Sequence, residues 1–292
     1  MTYSIVAADT KERLYGVAVA SKAMCVGAHV PWGAAGVGAL ATQAWHDLRY
    51  GSEGLELLRE GRSAASTLHE LTHNDPDAPN RQLGLIDAAG RLVSYTGSRC
   101  LPWAGGMSGE HYCVQGNLLA GPQVVEAMAE AYESLAELPF VPRLARALLA
   151  GDEAGGDRRG RQSAAVRVWR RDPSARQDTV DTVADVRVDD AELPVHQLAG
   201  MLPKLWLEYG LADAEGALSL TNGTRARVAE RLGVDPAGDV EAALEAWANE
   251  LNLESRLLNG RIDPTVLDVL ESGEAAVLAR AAEQVPARFW PV

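Results

Sequence analysis

The chain has 292 residues, which suits one large domain followed by a small one. Its formal net charge of −13 argues against a general binder of nucleic acid or of anionic membranes, because the average surface repels phosphate groups. The three cysteines, Cys25, Cys100 and Cys113, show no C-x-x-C spacing, which argues against a disulfide framework or a cysteine-rich zinc site.

The first part of the chain passes from strand signals to helix signals. Residues 2–8 and 14–21 are rich in Val, Ala and Tyr and too apolar to be half-exposed, which predicts paired strands covered on both faces. Residues 35–45 are rich in small side chains and predict a third strand region. Ser52 and Ser63 each precede a segment with helical periodicity, so we expect each serine to cap a helix.

The next part repeats this order. RQLGLIDAAGRLVSYTG, residues 81–97, predicts a β-hairpin, and a strand signal follows at residues 111–115. Pro122 suits the first turn of a helix, and a companion helix with apolar spacing ends at Gly151. Two further strand signals then follow, at residues 162–171 and 180–188.

The order of strands, helix pair, strands, helix pair and strands indicates an α+β fold with largely antiparallel sheets. Strands that are apolar on both faces need two covering layers, and two stacked sheets between two helix layers satisfy this pattern. A Rossmann fold fits poorly, because no glycine-rich strand–turn–helix opens the chain. Helical periodicity dominates after Asp190, so we predict domains at residues 1–190 and 191–292, the second small and helical.

The segment HELTH, from His69 to His73, matches the His-Glu-x-x-His signature of zinc peptidases. Helical geometry places both histidines on the flank of a stripe formed by Ala64, Leu68 and Leu71, away from the core. The following residues supply neither the third histidine nor the glycine of a metzincin. We therefore interpret the pair as surface histidines and expect no metal site.

Several stretches together resemble the bacterial family known as domain of unknown function 1028. They are MTYSIVAAD, GVAVASK, VGAHVPWGAAGVGALATQA, RQLGLIDAAGRLVSYTG, CLPWAG, VQGNLLAGPQVVEAM and GGDRRGRQSAA, in this order over most of residues 1–190. The resemblance implies the fold of N-terminal-nucleophile hydrolases, a four-layer αββα sandwich. The tail, residues 191–292, is similar to a peptidoglycan-binding domain that is often appended to members of this family.

This resemblance implies a catalytic role for Thr2. Removal of Met1 is chemically favoured because the next residue is small, and it would leave Thr2 with a free amine beside its own hydroxyl. An α-amino group with a pKa of about 7.7–8.0 is a usable base at neutral pH. The alternative is that threonine simply suits the start of a strand.

Two further residues are candidates for catalysis. Asn117 is expected in a loop before the helix that begins near Pro122, where it either donates its amide to an oxyanion or serves as an ordinary turn residue. Asp157 either orients the terminal amine or occupies a surface turn. Arg158 and its neighbours Arg159 and Arg161 form a solvated loop unless one of them lines a cleft, where it would grip a substrate carboxylate.

Four other residues are candidates for substrate binding, alongside Arg158. Lys22 follows the second strand, where its charge would lower the pKa of the nucleophile. Gln43, Arg81 and Arg99 are weaker candidates for the same pocket. Cys25 and Cys113 are interpreted as small buried residues rather than nucleophiles.

The leading hypothesis is a cytoplasmic amidohydrolase that cleaves a small amide or lactam, one with a carboxylate if an arginine lines the cleft, without a cofactor. The cytoplasmic assignment follows from an N-terminus and later segments that predict neither a signal peptide nor a membrane span. The alternative is a non-catalytic protein that binds peptidoglycan fragments through its C-terminal domain. There, Trp206 and Trp247 would stack on sugars, although their helical settings favour core packing. We also expect a homo-oligomer that binds neither nucleic acid nor membranes.

Overall fold

The computed structural model of the chain describes residues 2–170, 182–210, 213 and 215–284. Contacts between Cα atoms divide the chain into two compact units, Met1–Ala199 and Gly200–Val292. Helix α6, Pro194–Tyr209, includes the boundary between the units. Among the described residues, no helix combines the length and the apolar character that crossing a membrane requires.

The described part of the first unit contains two groups of strands and two pairs of long helices. Its strands are β1 Thr2–Asp9, β2 Leu14–Ser21, β3 Pro31–Ala34, β4 Gly38–Ala44, β5 Arg81–Asp87, β6 Leu92–Thr96, β7 Gly105–Gly109, β8 Tyr112–Asn117, β9 Ser163–Arg170 and β10 Thr182–Val188. Its helices before α6 are α1 Val26–His29, α2 Leu48–Arg59, α3 Ala64–His73, α4 Gln123–Ser134 and α5 Phe140–Glu153.

The strands form two sheets in which every pair of neighbours is antiparallel, as the sequence predicted. The larger sheet has the order β10-β9-β2-β1-β8-β7, and the smaller sheet has the order β3-β4-β5-β6. Strands β1 and β2 occupy the middle of the larger sheet and are buried along almost their whole length. This burial explains why both strands are apolar on both faces.

The two sheets face each other, with contacts between β1 and β4 and between β5 and β8. Helices α4 and α5 pack on the larger sheet, whereas α2 and α3 pack on the smaller one. The core between the sheets is formed mainly by small and β-branched side chains, among them Val6, Val17, Ala39 and Ile86, and also holds the rings of Tyr15 and Trp169. The unit therefore consists of a helix pair, two sheets and a second helix pair, in this order.

Two local predictions need correction, and one strand was not predicted. Helix α2 begins at Leu48 rather than after Ser52, because the side chain of Asp47 accepts a hydrogen bond from the Arg49 N–H and caps the helix a turn earlier. The single strand region predicted at residues 35–45 is the second half of the β3–β4 hairpin. Strand β7, which consists mostly of glycine and serine, gives no strand signal in the sequence and forms by pairing with β8.

Other local predictions are confirmed. Ser63 caps α3, and its hydroxyl accepts a hydrogen bond from the N–H of Ser66 at 3.2 Å. The predicted hairpin at residues 81–97 is present as β5 and β6. The start of the strand signal at residues 180–188 lies outside the described residues, and its remainder is β10.

The second unit contains short helices and a small sheet that the sequence did not predict. Its described elements after α6 are β11 Leu218–Ser219, α7 Asn222–Leu232, α8 Val240–Glu250, β12 Leu257–Leu258, β13 Arg261–Ile262, α9 Pro264–Ser272 and α10 Glu274–Gln284. Its interior holds an ion pair between Arg256 and Asp263, with side chains only 1% and 0% exposed. The Arg256 guanidinium also donates to the carbonyls of Trp206 and Leu207, so this pair connects three segments of the unit.

Candidate functional site

Strand β1 places Thr2 between the ends of two neighbouring strands. Thr2 is buried, and its hydroxyl donates to the hydroxyl of Ser21, at the end of β2, at 3.2 Å. On the other side, Thr2 is the register partner of Asn117, at the end of β8. The first residue of β1 therefore has a polar group from each adjacent strand beside it.

The side-chain amide of Asn117 is held by a buried glutamine. Asn117 Nδ2 donates to Gln82 Oε1 at 2.8 Å, and Gln43 Nε2 donates to the same oxygen at 2.9 Å. Gln82 Nε2 in turn donates to the carbonyl of Gly116 at 2.7 Å and to the hydroxyl of Thr96 at 2.9 Å. Because a carbonyl can only accept, these bonds fix which way the Gln82 amide points and so orient the N–H groups of Asn117.

The same network continues toward the backbone of Thr2. Gln43 Nε2 lies 3.4 Å from the carbonyl oxygen of Thr2, and Gln43 Oε1 accepts from the Ser4 hydroxyl at 2.8 Å. Gln115 Nε2 donates to that hydroxyl at 2.7 Å. Gln43 is only 1% exposed, so this predicted substrate-binding residue lies between the sheets and supports the site from behind.

A cleft of about 350 Å³ opens beside Asn117. Six of its lining residues carry polar groups or large side chains: Trp45, His46, Asn80, Arg99, Leu101 and Asn117. Ala44 is the last residue of β4, and its φ value is 69°. Leu118 directly follows Asn117, the last residue of β8, and its φ value is 53°. Left-handed backbone at residues other than glycine is costly and concentrates at functional sites, so it favours this cleft as the site.

The cleft contains a single permanent positive charge. Arg99 is exposed, and its guanidinium forms no ion pair with any residue that the structure describes. Burial, and then the neighbouring His29, lower the pKa of His46, which is therefore neutral at pH 7. Burial raises the pKa of the Cys100 thiol, which stays protonated and poorly nucleophilic.

Asp157 lies in a loop that pairs with the segment after Asn117. The N–H of Arg158 donates to the carbonyl of Leu118 at 3.1 Å, which joins the two loops. The buried Asp157 carboxylate accepts the backbone N–H of Lys22 at 2.9 Å and the guanidinium of Arg159 at 2.9 Å. Asp157 thus connects the end of β2 to this loop, whereas the side chain of Arg158 is exposed and does not line the cleft.

The side chain of Lys22 is turned toward the same loop. Its ammonium group donates to the carbonyl of Arg161 at 3.1 Å, and the residue is exposed. The Arg161 guanidinium binds both oxygens of Asp152, which also accepts the hydroxyl of Tyr3 at 2.9 Å. Burial, and then Asp152, raise the pKa of Tyr3, so its phenol remains protonated as the donor. These bonds fix the strand residue that follows Thr2.

Arg81 is committed to structure rather than exposed to the cleft. Its guanidinium forms ion pairs with Asp75 at 2.9 Å and with Asp47 at 3.5 Å, and it donates to the carbonyl of Trp45. Its side chain is only 7% exposed. Arg81 therefore does not line the cleft as a substrate-binding residue would. It instead binds Trp45 and Asp47, which flank His46, and both Trp45 and His46 line the cleft.

The histidines of HELTH lie exposed on α3 with ring centroids 5.1 Å apart. A second pair, His29 and His46, has centroids 5.7 Å apart near the cleft. Among the described residues, no group of three or more His, Cys, Asp or Glu side chains is arranged to hold a metal ion. Neither pair has the ligand number of a structural or catalytic zinc site.

The structure thus brings Thr2 and Asn117 together, with Gln43 behind them. Arg99 lines the same cleft as Asn117, whereas Lys22, Asp157 and Arg158 occupy the adjoining loops. Sequence reasoning missed Ser21 and Gln82. Tyr3 pairs with Ala20 in the β1–β2 hairpin, so the same register places Ser21 opposite Thr2. This register is the signal from which the position of Ser21 could have been predicted. Gln82 gave none, because its role depends on the packing of two sheets.

Fold and site together define an α+β protein with two facing antiparallel sheets and a small cleft beside Asn117, the last residue of β8. Comparison with protein families adds that the model of a family of unknown function, DUF1028, matches residues 2–198. The chain therefore belongs to the DUF1028 family. The crystal structure of protein SPO2555 from Silicibacter pomeroyi, of the same family, is similar with a TM-score of 0.62 and 30% identity, over 70% of this chain and 88% of that one. Comparison with curated proteins finds none that matches.

Proposed function

We propose that the chain is an amidohydrolase of the N-terminal-nucleophile type, in which Thr2 attacks a small amide or lactam after Met1 is removed. The observation that carries the proposal is the position of Thr2 beside Ser21 and Asn117, the latter lining the cleft. The order of helix pair, two sheets and helix pair is that of an αββα sandwich, which supports the same class.

The reaction uses two groups of one residue. The free amine of Thr2 takes the proton of its own hydroxyl, directly or through water, while the oxygen attacks the substrate carbonyl. The protonated amine then gives its proton to the leaving nitrogen as the amide bond breaks, which leaves an acyl ester on Thr2. Water, activated by the same amine, hydrolyses this ester and restores the hydroxyl.

Asn117 stabilises the negative charge that develops on the carbonyl oxygen. Nδ2 has two hydrogens, of which one is donated to Gln82 Oε1, and the other is available to a substrate oxygen in the cleft. A donor that is already oriented stabilises the transition state without reorganisation. In the same proposal, the Lys22 ammonium lowers the pKa of the nucleophile through its charge, and Asp157 holds the end of β2 in place for the terminal amine.

Substitution of Thr2 tests the nucleophile. Thr2→Ala is expected to abolish hydrolysis of small amides and lactams, followed as the release of a primary amine, whereas Thr2→Ser retains part of it because serine keeps the hydroxyl. Thr10→Ala, which removes an exposed hydroxyl beyond the other end of β1, is the matched control and keeps full activity. Undiminished hydrolysis by Thr2→Ala would refute the mechanism.

The alternative, a non-catalytic protein that binds peptidoglycan fragments, stays a prediction. Trp206 is not available to stack on a sugar, because it is only 7% exposed and the Arg256 guanidinium packs on its ring, 5.0 Å from the ring centroid. Trp247 is half-buried on α8. A pull-down with insoluble peptidoglycan separates the two ideas, since retention without Thr2-dependent turnover would favour the alternative.

A further inference from the structure

The charge of Arg99 has no counterpart among the residues that line the cleft. Other arginines at this end of the unit are neutralised within the fold, as Arg81 is by Asp75 and Arg159 by Asp157. Arg99, by contrast, forms no ion pair with the described residues. An arginine fork that faces a cleft without a carboxylate partner is suited to bind one from a ligand.

The backbone places this charge close to the proposed oxyanion donor. The N–H of Leu118, next to Asn117, donates to the carbonyl of Leu101 at 2.9 Å. Arg99 is two residues before Leu101, so their Cα atoms are at most about 7 Å apart. A carboxylate on Arg99 therefore lies only a few bonds from a carbonyl group held at Asn117, which requires a small molecule.

The mouth of the cleft displays apolar surface. Trp45 is 70% exposed and Leu101 is 61% exposed, which is unusual for side chains of this size. The backbone of Trp45 is nevertheless fixed, because its N–H donates to the carbonyl oxygen of Asn80 at 3.2 Å and its own carbonyl accepts from the Arg81 guanidinium. A ring that is displayed on a fixed backbone is suited to pack against a flat apolar group of a ligand.

The size of the cleft limits the ligand further. Its volume of about 350 Å³ is near the lower end of the roughly 300–1,000 Å³ that small-molecule sites occupy. It has room for one carboxylate, one amide and one compact apolar group, and not for a folded polypeptide. Charge, apolar surface and volume thus point to one kind of molecule.

We infer that the cleft binds small N-acyl amino acids and close analogues, in which a carboxylate and an apolar acyl group flank one amide bond. Arg99 binds the carboxylate, Trp45 and Leu101 pack against the acyl group, and Asn117 donates to the amide carbonyl. The inference rests on the proposed function for the role of this cleft as the catalytic one. It adds the class of substrate and assigns specificity to Arg99 rather than to Arg158.

A matched pair of probes tests this assignment by binding alone. Hippurate carries a benzoyl group, an amide and a carboxylate, and hippuramide is the same molecule with a neutral carboxamide. In full-length Thr2→Ala protein, which cannot consume the probes by the proposed route, calorimetry is expected to show hippurate binding about 10- to 100-fold more tightly than hippuramide. Arg99→Met removes this preference, whereas the control Arg62→Met, at an exposed arginine outside the cleft, preserves it.

A second variant tests the apolar half of the site. Trp45→Ala is expected to weaken both probes by a similar factor, and Trp45→Phe to restore most of the loss. The proposal is overturned if hippurate fails to bind at millimolar concentration, if both probes bind equally, or if Arg99→Met leaves hippurate binding unchanged. Carboxylate-dependent binding without Thr2-dependent turnover in the unsubstituted protein would instead refute the hydrolase while keeping this inference.

Discussion

The polar groups around Thr2 belong to the last residues of two neighbouring strands. Ser21 and Asn117 stand at the ends of β2 and β8, where the apolar pattern of each strand stops. The antiparallel register aligns these strand ends with the start of β1. The side chains of Ser21 and Asn117 therefore lie beside Thr2 although both residues belong to strands and not to loops. At the scale of single residues, the candidate site is thus a consequence of strand register.

Substitution of Asn117 tests the oxyanion donor. Asn117→Ala is expected to lower kcat about 10²- to 10³-fold with a small change in KM, because the lost hydrogen bond acts mainly on the transition state. The measurement uses whichever amide shows Thr2-dependent hydrolysis. Gln82→Met should reproduce part of the loss, since it frees the Asn117 amide to rotate. An unchanged kcat in Asn117→Ala would show that Asn117 is not the oxyanion donor.

Substitution of Arg81 tests its structural role. Arg81→Met is expected to lower the free energy of unfolding by about 3–5 kcal/mol, because it leaves the carboxylate of Asp75, which is only 10% exposed, without its arginine partner. Arg49→Met is the matched control, since Arg49 pairs with Asp47, the other partner of Arg81, but is 72% exposed, and it should cost much less. Urea denaturation measures both. Equal losses in the two variants would contradict the assignment.

The same cluster predicts a pH dependence of stability. Burial alone would raise the pKa of Asp75, but hydrogen bonds from Arg81 and Tyr50 outweigh it and lower the pKa to about 2. The unfolded chain has a pKa of about 3.9 for this group. Asp75 therefore stabilises the fold fully above about pH 4, and this contribution is lost as the pH falls toward 2.

Comparison with Asp75→Asn isolates that contribution from the other carboxylates. The difference in unfolding free energy between the unsubstituted protein and Asp75→Asn should be largest above about pH 4 and shrink as the pH approaches 2. Urea denaturation at several pH values measures it. A difference that stays constant over this range would show that Asp75 titrates normally in the folded protein.

At the scale of elements, the sequence predicts type and pairing better than boundaries. Apolar runs identify β1, β2 and β9, and glycine marks the β5–β6 hairpin, because these signals are local. The start of α2 was misplaced because Asp47 competes with Ser52 as a cap, and only the course of the preceding segment decides between them. Strand β7 was missed because its strand character comes from its neighbour.

Helix α2 offers a test of packing between elements. A Cβ atom at Gly51 would lie 2.1 Å from the ring of Trp32, so α2 approaches the β3 strand closely at this point. Gly51→Ala is therefore expected to destabilise the protein despite the better helix propensity of alanine. At the exposed Gly200 in α6, nothing lies within 4 Å, and Gly200→Ala should stabilise by about 0.5–1 kcal/mol. Thermal denaturation is expected to show a lower melting temperature for Gly51→Ala and a higher one for Gly200→Ala. A stabilising effect of Gly51→Ala would contradict the close packing of α2 on β3.

At the scale of the whole molecule, the antiparallel sheets and the grouping of helices could be predicted from the sequence, whereas most of the site could not. Buried strands and grouped helices require covered antiparallel sheets, and the structure has them. The candidate residues Thr2 and Asn117 were found through family resemblance, and local pattern alone would have left each as an ordinary strand or turn residue. Gln82, Trp45 and Leu101 gained their roles only from contacts between segments distant in the chain.

The proposed mechanism requires a functional chain that begins with Thr2, because the free amine of this threonine serves as its base. The most direct measurement is the mass of the intact purified protein, expressed without an N-terminal tag. We expect the mass of a chain that starts at Thr2, lower than that of the full sequence by one methionine residue. A mass that includes Met1 in all molecules would leave Thr2 without a free amine and would contradict the proposed mechanism.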